Sequence, residues 1–218
     1  MFMDPFLLCL ALGPVAVYLL ALGVINLVRR PFIVSGTRDM AAVGLAVSGM
    51  VMVGPFELFY PNAAAVHFGP YVWLFLAALY GLFLVLVLLS LRPRLVIYNI
   101  SVDELRPIMA DLVERLDGEG RWAGDSLALP NLGVQLHIES SGTFRNVSLV
   151  SSGPSQSYAG WRQLELGLSA ALRQFKVPRN FRAATLLLAG LSLAGLLAAV
   201  IAHDPQLVAQ SMIDMFTR

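Results

Sequence analysis

One cysteine, one lysine and few charges of either sign mark this chain by what it leaves out. The lone Cys9 excludes an intrachain disulfide and any zinc or iron–sulfur site built from several cysteines of one chain. Charged residues make up 13% of the 218 positions, against roughly a quarter in soluble proteins, while hydrophobic residues reach 57%. The formal net charge of +1 offers nothing to an acidic partner. In the central segment the arginines alternate with Asp and Glu, so no basic stripe forms and nucleic-acid binding is not expected. The excess of arginine over lysine is read as a compositional bias of a GC-rich bacterial genome.

Catalytic patterns are missing as well. No phosphate loop, no G-x-S-x-G elbow and no HExxH pair occurs. His67, His137 and His203 are expected on different sides of a membrane and cannot share one metal. The expectation is a non-enzyme with no cofactor and no metal.

What the chain has is length in its apolar runs. A helix needs about 20 apolar residues to cross the hydrocarbon core, because lipid cannot satisfy an unpaired peptide group. Residues 6–28, 40–60, 71–91 and 183–202 meet that requirement. The first is uncharged and stops at Arg29, Arg30 and Pro31, while Tyr71 and Trp73 open the third like an interfacial belt. The first run is longer than the apolar region of a signal peptide and has no positive charge before it, so it is expected to stay as a span. Leu8 is too bulky for lipid processing at Cys9.

Basic residues alternate across these runs. None precedes the first, Arg29, Arg30 and Arg38 follow it, none lies in 61–70, and Arg92, Arg94, Lys176, Arg179 and Arg182 flank the long central segment. The positive-inside rule then places both termini outside and residues 94–176 in the cytoplasm, in a plasma (inner) membrane.

That segment changes period. Residues 94–100 read as a strand, and Ser101 with Glu104 forms a capping box for a helix whose apolar face is Val102, Leu105, Met109, Leu112, Val113 and Leu116. Pro107 is expected to kink that helix or move its start toward Glu104. Three strands follow, at 121–130, 133–139 and 145–151. In the middle one Val134, Leu136 and Ile138 face a core. A second helix, 157–175, carries Trp161, Leu164, Leu168, Leu172 and Phe175 on one stripe.

The expected architecture is a membrane all-α part of four transmembrane helices plus a small cytoplasmic α+β two-layer domain, β-α-β-β-β-α, inserted between the third and fourth helices. Residues 1–93 form the first membrane part, 94–176 the domain, and 177–218 the fourth helix with an amphipathic tail.

Candidate sites are sparse, and each has a plain alternative. Glu57, the one charge inside an apolar run, lies near the outer end of the second span, and with His67 it would form a polar site at an outer vestibule. An interfacial carboxylate and a surface histidine are the plain reading. The loop of Ser151, Ser152, Gly153, Ser155 and Ser157, with Arg162 just inside the next helix, sits where backbone N–H groups could hold an anion. A flexible connection is its plain reading. Small residues four apart, Ala42 and Ala46, Gly44 and Ser48, Gly190 and Ala194, Gly195 and Ala199, suit close helix packing, within the chain or between copies. The sequons at Asn99 and Asn146 are read as accidental on a cytoplasmic segment.

The function expected is protein interaction or sensing through the cytosolic domain, the partners being the lipid bilayer and another protein or a second copy. The alternative is a small channel or transporter component using Glu57 and His67. A membrane enzyme using the Ser151–Ser157 loop is a third reading, without an activating base.

Overall fold

Uncharged apolar stretches satisfy their own backbone only by coiling, and this chain does so four times. The computed structural model describes residues 4–56, 58, 60–141, 145–154, 156–178, 180–181 and 183–217. It is mostly helical, with four long apolar helices and a small antiparallel sheet. Helix α1 spans Pro5–Leu27, and α2, Gly36–Val51, continues as a π-helical turn over Met52–Phe56. Pro55 lies in that turn, where its missing N–H breaks the regular ladder. The short α3, Asn62–Phe68, leads into α4, Tyr71–Ser90. Late in the chain come α7, Ala183–His203, and α8, Pro205–Thr217. Helices α1, Gly36–Phe56, α4 and α7 are long and apolar enough to cross a membrane, with mean hydropathies of 1.5 to 2.8.

The chain divides into two compact units. The first comprises Met1–Ala21, Ala41–Ser90 and Leu186–Arg218. Within it, bare glycines let helices approach closely. A Cβ on Gly49 would stand 1.9 Å from the Leu10 carbonyl oxygen, so α2 lies against the α1 backbone there. Pro14, four residues on, has no N–H to give that carbonyl. Tyr80 of α4 donates its hydroxyl to the Gly44 carbonyl of α2 at 2.6 Å.

The second unit comprises Leu22–Met40 and Leu91–Thr185. Its strands are β1 (Phe32–Ser35), β2 (Arg94–Tyr98), β3 (Arg121–Ala123), β4 (Ser126–Leu129), β5 (Val134–Ser141) and β6 (Asn146–Ser151). They form one sheet in the order β1-β2-β6-β5-β4-β3, antiparallel at every pairing. Helices α5, Val102–Leu116, and α6, Tyr158–Gln174, supply the second layer. Register lines up Leu95, Leu149 and Ile138 across three strands, and Leu127 with Leu136, on the face that meets Leu105, Met109, Leu112, Leu164, Leu168 and Leu172. On β5, Gln135, His137 and Glu139 are exposed, as a sheet covered on one side requires.

The sheet has two strands more than the sequence suggests. Residues 121–130 fold back on themselves, because Gly124, at φ +63, opens a two-residue hairpin turn that pairs Ala123 with Ser126. The other addition is β1, from the connection between the first two apolar runs; its Phe-Ile-Val run pairs with β2 from Phe32↔Tyr98 to Ser35↔Leu95. The capping box forms as expected, with Ser101 Oγ accepting the Glu104 N–H and Glu104 Oε2 accepting the Ser101 N–H. Helix α5 starts at Val102 and keeps Pro107 inside it, so its start is not displaced toward Glu104.

Candidate functional site

Arg94 and Tyr98 stand four residues apart on β2, so both leave the strand on the face opposite Leu95 and Ile97. There they meet Asp39, in the first turn of α2. Arg94 Nη2 lies 3.2 Å from Asp39 Oδ2, and the Tyr98 hydroxyl donates to Oδ1. Gly36, one turn before Asp39, makes room: a Cβ there would sit 2.0 Å from Arg94 Cγ. The next residue along, Asn99, is fully buried with φ +61, and its Nδ2 donates to the Val28 carbonyl just past α1. Arg29, beside it, accepts the Val177 N–H at 3.2 Å. This seam hooks the end of α1, the start of α2 and the approach to α7 onto β2 and its flanks. From the sequence alone the Asn99 sequon reads as accidental. The even spacing of Arg94 and Tyr98 within a strand was the available clue, and it points to no partner by itself.

Arg94 also lines a cleft of about 460 Å³ in the same unit. Arg38 from α2 and Arg162 from α6 line it too, with Ser35, Thr37 and Tyr158. Arg38 is 76% exposed and only 3.9 Å from Glu165 Oε1. A smaller groove of about 390 Å³ runs between α5 and α6, past Asp111, Leu112, Arg115, Gly167 and Ala171.

The loop singled out for anions turns its donors inward. Ser151 N–H donates to Pro93, Ser152 N–H to Gln135 and Ser157 N–H to Gly133. Gln156 closes the loop, its Nε2 donating to the Gln135 and Ser152 carbonyls and its Oε1 accepting the Gln135 N–H and Trp161 Nε1–H. Ser157 caps α6 by accepting the Gly160 N–H, and Gly153 has φ +88. Ser155 lies outside the described residues, and Arg162 is brought to the arginine cleft.

Glu57 also lies outside the described residues. His67 is exposed on α3, its Nδ1 3.2 Å from the Ala63 carbonyl. Of the small residues, Gly44 meets Leu84 and Gly190 meets Leu20, with an added Cβ at 2.5 and 2.9 Å. Ser48 Oγ donates to the Leu45 carbonyl within its own helix, and Ala194 is half-buried. Gly195 has nothing within 4 Å and Ala199 is exposed. Gly49, which no four-residue pattern singled out, makes the tightest approach among the described glycines of the helical unit.

Among the described residues, no group of three or more His, Cys, Asp or Glu is placed to hold a metal ion. No family model, curated protein or solved structure matches the chain.

Proposed function

We propose that this chain is a non-enzymatic integral protein of a bacterial inner membrane, with four spans and both termini outside. Its sheet unit then works in the cytosol, in protein interaction or sensing. The observation that carries the reading is connectivity. The chain passes between the helical and sheet units four times, and each of the four apolar helices runs directly into or out of the sheet unit. Tethering through Asp39–Arg94–Tyr98 and Asn99–Val28 gives the sheet a route to feel a displacement of α1 or α2. The arginines clustered around the sheet unit support its cytosolic side. The bilayer is one partner; the other is a protein or a second copy.

Two measurements test this together. In a Cys9→Ser background, Glu119→Cys on the exposed turn after α5 is expected to escape an impermeant maleimide in sealed cells and react after lysis. Full chain captured from native membranes in mild detergent is expected to bring a protein partner that is lost when residues 95–176 are removed. Labelling in sealed cells overturns the topology, and unchanged partners overturn the interaction reading.

A further inference from the structure

We propose that the cleft walled by Arg38, Arg94 and Arg162 holds the phosphate of an anionic membrane lipid, an inference that rests on the membrane reading above. Exposed arginines on one helix are ordinarily a solvated face. Here three arginines from three separate elements, α2, β2 and α6, line one concavity. Arginine's planar fork matches phosphate oxygens two at a time. Ser35 and Thr37, whose hydroxyls share a hydrogen bond at 3.3 Å, and Tyr158 line the same cleft.

The charge count favours a singly charged phosphodiester. Glu165 lines the cleft as its one carboxylate, and Asp39 neutralises Arg94, which leaves one positive charge in surplus. Arg162 makes no ion pair among the described residues, and Arg38 reaches Glu165 only at 3.9 Å, so both are available to a ligand. Arg94 Nε–H is shielded from solvent beside Gly36 and has no acceptor among the described residues, so Arg94 contributes to the cleft chiefly as a wall charge.

Position along the chain selects the source. Gly36 is the first residue of one apolar helix, and Leu91 directly follows the last residue of another; both line the cleft. In a bilayer those are the positions where the chain leaves hydrocarbon for the headgroup layer. Basic pockets at that depth take anionic headgroups, while a zwitterionic lipid brings no net charge to compensate the surplus.

The test uses the purified full chain in phosphatidylcholine nanodiscs, with phosphatidylglycerol or inorganic phosphate added. Lipid retention is read by native mass spectrometry and stability by the thermal midpoint. Phosphatidylglycerol is expected to be retained and to raise the midpoint. The Arg38→Ala/Arg162→Ala pair, changed at two exposed side chains, is expected to keep its fold and bind about tenfold more weakly, and Arg162→Lys is expected to lie between. Equal affinity in the double variant, equal retention of phosphatidylcholine, or binding of inorganic phosphate without a preference for phosphatidylglycerol each overturns the proposal. Recovery of the chain with membranes is scored separately, so a failed lipid preference is distinct from a failed membrane reading.

Discussion

Asp117 is nearly buried at the end of α5 and accepts four hydrogen bonds: from the N–H groups of Glu119, Asn131 and Leu132 and from Asn131 Nδ2, at 2.8 to 3.4 Å. Burial pushes its carboxyl up, but those donors together outweigh it and hold the group below the usual aspartate range. Glu104 is similar. Burial raises it, while the Arg145 guanidinium, 2.6 Å from both carboxylate oxygens, and the Ser101 N–H and hydroxyl bring it below its ordinary value. Arg145 holds this position with φ +53 while its carbonyl accepts the Ile100 N–H, so one residue locks the capping box to the β5–β6 connection. A carboxyl whose folded pKa is depressed stabilises the fold above its unfolded pKa and loses that contribution as pH falls through the folded value. The thermal midpoint is therefore expected to hold steady from neutrality down to about pH 5 and to drop below about pH 4. Asp117→Asn with Glu104→Gln is expected to lower the neutral midpoint and flatten the acid limb. An unchanged acid limb in that double variant would remove these two carboxylates from the account.

At the scale of elements, periodicity made α5 and α6 legible. An amphipathic helix shows its buried face in its own spacing, and Leu105, Met109, Leu112, Leu164, Leu168 and Leu172 are buried where that spacing puts them. Helix contacts among apolar runs are less legible, since every face is apolar and only the local backbone distinguishes one from another. Gly49 lies on the Leu10 carbonyl, to which Pro14 has no N–H to give, and Gly195, on a similar small-residue spacing, faces open space. Gly49→Leu is accordingly expected to force α1 and α2 apart and to cost about 1–3 kcal/mol of stability. Gly195→Leu is expected to be tolerated. Thermal unfolding in detergent compares them, and equal losses would show that spacing alone, and not the close approach to the Leu10 carbonyl, governs the packing.

At the scale of the whole molecule, β1 changes what the connection between the first two apolar helices does. Arg29, Arg30 and Arg38 all lie in it, and the chain between them extends the sheet from its β2 edge. The sheet unit therefore holds the chain at four junctions, where an insertion between the third and fourth helices alone would give two. Val34→Pro removes a backbone donor from β1 and is expected to speed amide exchange in β1 and β2, leaving β4 and β5 protected. Uniform exchange across the sheet would instead mean that β1 holds the whole unit together. Local spacing is enough to tell which stretches coil through apolar length, which face of α5, α6 and β5 is buried, and where α5 is capped, because each depends on neighbours a few residues away. That Asp39 meets Arg94 and Tyr98, 55 and 59 residues on, and that Asn99 reaches back 71 residues to Val28, comes from the folded arrangement of distant segments. Each of those polar groups has many chemically adequate partners in the chain, and the closure of the sheet selects one of them.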